Sequence, residues 1–336
     1  CNQLLLINWN VQAAITAESF DTPAKMGNLL IFAPEGTGCT YEGNVVINGM
    51  AEKISLTHGK GFRSPQAFKA KDITYKRNFS MKSGNKINAA GWEAIVLPFD
   101  VQSFSNEKQG ELAPFNSGKK GAKPFWLAQM TTDGFEHTTA MKANKPYIIS
   151  LPNSESYEDE FNISGEVQFH AEDAGGVEVK ATSYKELARI EGSNRIMSPA
   201  YETVFKHDTV YAINPAMYEN IAPGGAFVRN LRDVQPFEAY LISKEAAVNA
   251  PKLYSIGGIG GEITGIEELP SDALDGIEIY VRYGVLYIKS DRERTLSIYD
   301  TAGHMVRQVE VQEGTTAVTG LGKGIYLLAR KKILVQ

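Results

Sequence analysis

The stretch Gly276-Ile-Glu-Ile-Tyr-Val-Arg-Tyr-Gly-Val-Leu-Tyr-Ile-Lys289 decides the fold of the last part of this chain. Apolar and polar residues alternate along it, which is typical of β-strands with one buried face. Comparable runs follow in Leu296-Ser-Ile-Tyr-Asp-Thr-Ala-Gly-His-Met-Val306 and Gly324-Ile-Tyr-Leu-Leu-Ala-Arg-Lys-Lys-Ile-Leu-Val335. We therefore predict a small β module over residues 274–336.

A hairpin turn is predicted between the strands of this module. Asp300 begins the turn, and Gly303 supplies a backbone position with positive φ. Gly324 lets the next strand begin tightly before Ile325 and Tyr326. The apolar residues predicted to line one core are Ile298, Val306, Val309 and Val311.

These residues resemble the small C-terminal β-sandwich modules of Bacteroidetes extracytoplasmic proteins, including the sorting domains of type IX secretion. The shared motif is a strand, a Tyr-Asp-x-x-Gly turn, a Gly-Ile-Tyr strand and a basic last strand. Its residues here are Tyr299, Asp300, Gly303, Gly324, Tyr326, Lys331 and Lys332. The final hairpin, from Tyr326 to Val335, is shorter than is usual in the family. The resemblance thus implies either a working sorting signal or a purely structural end module.

Upstream segments are similar to the non-repeat region of large Bacteroides and Prevotella surface proteins. They are residues 51–62, 73–80 and 92–101, and no leucine-rich repeat accompanies them here. The resemblance implies a short relative of those proteins or the downstream end of a longer one. It also implies an extracytoplasmic location, either at the cell surface or secreted.

Short apolar runs separated by turn residues predict strands throughout the first two thirds of the chain. In residues 1–70 the clearest runs are Leu4–Ile7, Leu29–Phe32, Asn44–Ile47 and Lys53–Leu56. Further on, residues 73–79 and 92–99 are predicted to pair as a hairpin with a long loop.

The predicted fold class is all-β, with tandem small β-sandwich-like domains and a C-terminal immunoglobulin-like β module. We place an N-terminal β module at 1–70 and a central β-sandwich domain at 71–255. Residues 256–273, rich in Gly and acids with one Pro, are predicted to be a linker before the module at 274–336.

Composition restricts the partners. The net charge is −5, and the 34 Lys and Arg residues are scattered along the chain. The sequence therefore has no basic stripe of the kind that binds nucleic acid. The sequence contains no run of about 18 apolar residues, so no membrane-spanning helix is predicted. Cys1 is either a lipid-bearing first residue or an ordinary thiol. A disulfide bond between Cys1 and Cys39 is a further alternative.

No catalytic, cofactor or metal site is predicted. The five histidines lack metal-ligand spacing, the Gly-rich stretch lacks the phosphate-binding pattern, and no Gly-x-Ser-x-Gly elbow occurs. Paired carboxylates for glycoside hydrolysis cannot be located from sequence, because their separation is a distance in space. An enzyme with an unrecognised site therefore remains a third hypothesis.

Aromatic residues carry the other hypotheses about function. Trp92 and Trp126 are the candidates for stacking against a sugar, although both lie within apolar runs. We predict a non-catalytic surface protein with an adhesive, binding or structural role, whose partner is a host or cell-surface glycan or protein. The alternative is a carbohydrate-binding protein that presents glycans to a partner.

Overall fold

The chain forms two compact units, Cys1–Ile263 and Thr264–Gln336. The computed structural model describes residues 4–20, 27–83, 90–132, 134–154, 157, 159–245, 249–256, 277–282, 285–299, 305–328 and 331–335. Within these ranges, helical structure is limited to 3-10 turns at Ala17–Ser19 and Tyr184–Glu186. The predicted all-β, multi-domain fold class is confirmed. Within the same ranges, no helix is long and apolar enough to cross a membrane.

The first twelve strands of the described chain form one large mixed sheet in the N-terminal unit. They are β1 (Leu6–Asn8), β2 (Leu30–Ala33), β3 (Asn44–Ile47), β4 (Met50–Thr57), β5 (Phe68–Asn78), β6 (Glu93–Ile95), β7 (Ser103–Asn106), β8 (Gly110–Pro114), β9 (Lys123–Met130), β10 (Phe135–His137), β11 (Tyr147–Ser150) and β12 (Glu166–Val179). The sheet order is β1-β2-β3-β4-β5-β12-β7-β8-β9-β11-β6, and β10 pairs with β9.

A second sheet of six strands completes the described part of this unit. Its strands are β13 (Ile190–Glu191), β14 (Arg195–Ala200), β15 (Val210–Ile213), β16 (Ala226–Arg229), β17 (Glu238–Ser243) and β18 (Leu253–Ser255). Their order is β13-β14-β17-β15-β16-β18. The two sheets meet where β17 approaches β6, and the backbone N–H of Val96 donates to the carbonyl of Phe237 at 3.0 Å.

Two large cores hold the N-terminal unit together. One contains side chains of the large sheet, such as Tyr75 and Phe169, and it also includes Phe237, which directly precedes β17 of the second sheet. The other lies between β6, β9 and β11 on one side and the six-stranded sheet on the other. Burial of so much aromatic and aliphatic surface is the main stabilising contribution to this arrangement.

Two sequence predictions about this unit are wrong. Residues 73–79 and 92–99 do not form a hairpin, because β5 is flanked by β4 and β12 and β6 pairs with β11. The predicted boundary at residue 70 falls inside β5, and strands on both sides of it share one sheet and one core. By contrast, each of the four strands predicted in residues 1–70 is present as β1 to β4.

The C-terminal unit is a small β-sandwich. One sheet contains β19 (Ile277–Arg282), β20 (Val285–Ser290) and β23 (Gly314–Val318), and the other contains β21 (Arg294–Tyr299), β22 (Met305–Val311), β24 (Gly324–Leu328) and β25 (Lys331–Val335). Both sheets contribute to a core that includes Ile288, Ile298 and Val311. The division between the two units falls within the predicted linker, of which residues 257–273 lie outside the described chain.

One predicted core residue of this module is misplaced. Ile298 and Val311 are fully buried and Val309 is partly buried against them, whereas Val306 is 46% exposed. The β21–β22 register shifts between Ile298 and Tyr299, so that Arg307 pairs with Ile298 and Met305 with Tyr299. Val306 is the extra residue at this irregularity and faces solvent.

Candidate functional site

A polar cleft of about 530 Å³ lies in the N-terminal unit. It is lined by residues of β5, β6 and β17, of the loop before β17, and of the segments that follow β4, β5 and β15. These residues are His58, Arg77, Asn78, Ser80, Met81, Glu93, Pro215, Arg232, Asp233, Gln235 and Glu238. We call this site the polar cleft. Its volume lies within the range typical of small-molecule sites.

Arg77 is in the cleft because of its position in β5. Side chains alternate between the two faces of a strand, so residue 77 shares a face with Ile73 and Tyr75, both of which are fully buried. This alternation therefore places the Arg77 guanidinium on the core-facing side of β5, where the side chain is only 2% exposed. Burying such a charge is costly unless it is paired and hydrogen-bonded.

The Arg77 guanidinium has several partners. Its Nη2 is 2.5 Å from Oε2 of Glu93, and its Nη1 donates to the carbonyl oxygen of Ala94 at 2.8 Å. Its central carbon lies 4.6 Å from the centre of the Phe79 ring, within range of a cation–π interaction. Its Nε has no hydrogen-bond partner among the described residues.

Glu93 links the Arg77 guanidinium through hydrogen bonds to the segment that follows β5. Its Oε1 accepts hydrogen bonds from the backbone N–H groups of Ser80 at 2.7 Å and Met81 at 2.8 Å. Both carboxylate oxygens are therefore engaged, one by backbone and the other by Arg77. Such charge-assisted hydrogen bonds are about twice as strong as neutral ones.

A second ion pair lies beside the first. Arg232 forms a forked pair with Glu238, with Nη1 2.7 Å from Oε2 and Nη2 3.2 Å from Oε1. The Glu238 Oε2 also accepts the backbone N–H of Gln235, and Oε1 lies 4.0 Å from Nη2 of Arg77. Carboxylates on β6 and β17 thus flank one guanidinium of β5 and connect the two sheets electrostatically.

The pKa of His58 is shifted by its surroundings in the cleft. Its Nδ1 lies 3.0 Å from the hydroxyl of Tyr75, a buried side chain whose own pKa is raised by burial. Burial, together with the positive charges of Arg77 and Arg232, lowers the pKa of His58 to about 3. The imidazole is therefore neutral at any physiological pH.

We expect His58 to make the stability of this unit depend on pH in a defined window. Above pH 6.5 the imidazole is neutral in both states, and its contribution to stability is fully present. As the pH falls from 6.5 towards about 3, the unfolded chain takes up a proton that the folded chain does not. The free energy of unfolding should then fall by up to about 1.4 kcal/mol per pH unit from this residue.

Urea unfolding of wild type and His58→Gln between about pH 7 and pH 4.5 measures this effect. Groups other than His58 titrate in both proteins, so the difference between the two profiles isolates its contribution. The wild-type stability should drop more steeply on acidification. Parallel profiles would show that His58 accepts a proton in the folded protein as readily as in the unfolded one.

Neither sequence-predicted stacking residue faces solvent. Trp92 is 2% exposed and Trp126 is fully buried, and both belong to the core between the two sheets. A sugar cannot reach either indole unless this core opens. Their placement reflects the apolar runs that surround them in β9 and before β6.

The third tryptophan is more accessible and was not singled out from the sequence. Trp9, Phe20 and Tyr41 are partly buried and form a short series, with ring centres 6.3 Å apart for the first pair and 4.8 Å for the second. Tyr41 also lines a groove of about 390 Å³ together with Glu42 and Asn44. The sequence signal was the setting of Trp9 between two asparagines, outside any apolar run.

The described residues of the C-terminal motif lie in β21, β24 and β25. Tyr299 ends β21 and pairs with Leu327, while Gly324 begins β24. The hydroxyl of Tyr326 donates to the carbonyl of Gly322 at 2.9 Å. The backbones of Lys331 and Lys332 belong to β25, but their side chains, like residues Asp300 and Gly303, lie outside the described part of the chain.

The residues of the polar cleft had a recognisable sequence signal. In Ile73-Thr-Tyr-Lys-Arg-Asn-Phe79 every second residue is apolar except Arg77. Glu93 lies between Trp92 and Ala94 in an apolar run, and Glu238 lies between Phe237 and Ala239. Charged residues at such positions are rarely buried unless they are paired, so each one predicts a partner elsewhere in the chain.

Fold and cleft together define a two-unit all-β protein with a buried ion-pair network at a polar cleft. No protein-family model matches the chain, and no curated protein matches it significantly. Function is therefore argued from the site itself.

Proposed function

We propose that this chain is a non-catalytic binding module of an extracytoplasmic surface protein and that the polar cleft is its ligand site. The observation that carries the proposal is the pairing of the cleft carboxylates. Each oxygen of Glu93 and Glu238 already accepts a hydrogen bond from an arginine or a backbone N–H. The network makes the cleft a rigid polar surface.

The same pairing argues against general acid–base chemistry. Glu93 and Glu238 both flank Nη2 of Arg77, at 2.5 and 4.0 Å. A glycosidase also places two carboxyl groups across a cleft, but one of them must hold a proton for the leaving group. In the cleft, arginine and backbone donors already occupy every oxygen of both carboxyl groups.

The extracytoplasmic location rests on the resemblance of residues 274–336 to C-terminal modules of Bacteroidetes surface proteins. A compact β-sandwich in this segment is compatible with such a module. Protease treatment of intact host cells, followed by detection of the chain, tests the location directly. A chain protected from the protease until the cells are lysed would contradict it.

The carbohydrate-binding alternative now draws on different aromatic residues. Trp9, Phe20 and Tyr41 are accessible in part, and Tyr41 shares its groove with the carboxylate of Glu42 and the hydroxyl of Thr57. Flat rings beside hydrogen-bonding side chains suit the two kinds of surface that a sugar presents. This alternative places the ligand away from the polar cleft.

A printed array of glycans and host surface proteins separates the two proposals. We expect wild type to bind and Ser80→Phe to bind at least about tenfold more weakly, because the new ring fills the polar cleft. Tyr41→Ala should bind as wild type does. If Tyr41→Ala loses binding and Ser80→Phe keeps it, the carbohydrate groove is the site instead. Release of cleaved glycan by wild type would contradict a non-catalytic role.

A further inference from the structure

One buried donor of the polar cleft has no hydrogen-bond acceptor. Nε of Arg77 makes no hydrogen bond within the described residues, and the side chain is 2% exposed, although the guanidinium also interacts with the hydroxyl of Tyr75. The carboxylates of Glu93 and Glu238 are occupied by the contacts described above. A ligand group that accepts hydrogen bonds would satisfy the Nε–H of Arg77 and would therefore be favoured.

The rim of the cleft adds to these donors. The side chains of Asn78, Ser80 and Gln235 are exposed and line the opening. Asp233 also lines it and carries a further carboxylate, whose Oδ1 accepts the backbone N–H of Lys206 at 2.8 Å. Two amides and a hydroxyl can thus contact a ligand around a single opposing charge at the rim.

His58 also lies close to the two guanidinium groups of the cleft. Nδ1 of its imidazole is engaged with Tyr75, which leaves Nε2 as the ring nitrogen for a ligand. The pKa of His58 is lowered by burial and by the charges of Arg77 and Arg232. Both guanidinium groups therefore lie close enough to His58 to contribute positive charge there.

We propose that the polar cleft binds a small molecule through a carboxylate group, held by Nε of Arg77 and the donors of the rim. Arg232 lies beside it and contributes positive charge, since its own nitrogens donate to Ile213, Asp233 and Glu238. Planar guanidinium groups match a carboxylate in shape and charge, and a partly dry cleft strengthens such contacts. The inference rests on the proposed binding function and names its ligand class. An acidic sugar and an aliphatic acid both present this group.

The test follows the imidazole signal of His58 by NMR during titration of the full chain. The signal is assigned by its absence from the spectrum of His58→Gln. Glucuronate and succinate are the carboxylate probes, and glucose is the neutral probe of similar size to glucuronate. We expect a saturable shift with glucuronate, with a Kd on the order of 1 mM for a ligand this small.

The second probe decides the source of the carboxylate. A shift with both acids means that the carboxylate alone is recognised, and a shift with glucuronate alone means an acidic sugar. Ser80→Phe should weaken either titration at least about tenfold, whereas Ser117→Phe, on an exposed turn outside the cleft, should change it by less than about twofold.

Three results would overturn the inference. They are a His58 signal that neither acid moves, a signal that glucose moves equally, and binding that Ser80→Phe leaves intact. A shift with glucose would still leave the cleft a binding site, so the proposed function would stand without this ligand class. Array binding that is insensitive to Ser80→Phe would remove the proposed function itself.

Discussion

Arg77→Met is expected to lower the free energy of unfolding of the N-terminal unit by about 3–5 kcal/mol, the range for removing one partner of a buried ion pair. Methionine fills much of the same space but leaves Glu93, whose side chain is 7% exposed, without its guanidinium partner. Arg77 also bonds the Ala94 carbonyl and stacks on Phe79, and both contacts would be lost.

Urea unfolding followed by tryptophan fluorescence measures this change in the relevant unit. All three tryptophans, at positions 9, 92 and 126, belong to Cys1–Ile263. Lys71→Met is the matched control, because Lys71 lies on the same strand and pairs with Glu52 in solvent. The control should cost no more than about 1 kcal/mol. Equal effects of the two substitutions would show that the buried network adds no stability.

Gly224→Ala is expected to destabilise the same unit by about 3–5 kcal/mol, for a steric reason. Gly224 has φ of +73°, and an added Cβ would lie 2.3 Å from the backbone nitrogen of Trp92 and 2.6 Å from the carbonyl carbon of Gly91. Because these are backbone atoms, the contact cannot be relieved by a change of rotamer. The loop before β16 would have to move away from the segment that leads into β6.

Gly110→Ala separates the effect of the clash from that of the backbone conformation. Gly110 has the same φ of +73°, but an added Cβ meets nothing within 4 Å. Its replacement should cost only about 1 kcal/mol, the penalty of a left-handed conformation. If both variants unfold at the same urea concentration, the close approach between the loop and Gly91 is not a stabilising constraint.

Strands were predictable from the sequence where a local pattern was sufficient. The runs in residues 1–70 appear as β1 to β4, because a strand buried on one or both faces requires apolar residues within a few positions of each other. Which strands pair with each other could not be predicted from the sequence. Residues 73–79 and 92–99 are near in sequence, yet β5 pairs with β12 and β6 with β11.

The polar cleft shows the same limit. Arg77 breaks the alternation of β5, which is visible in the sequence, but its partners come from β6 and β17. Trp92 and Trp126 show the converse, since nothing local distinguishes a ring on a surface from a ring between two sheets. The indoles are buried because the six-stranded sheet covers β6 and β9.

The sequence alone determined that this protein is all-β and that its C-terminal segment contains alternating strands, because a period of two is a local property of the chain. Only the tertiary structure decided which strands are neighbours, which aromatic rings are buried and which charges meet. Those outcomes depend on contacts between residues far apart in sequence. Arg77, Glu93 and Glu238 form one site because two sheets close on each other there.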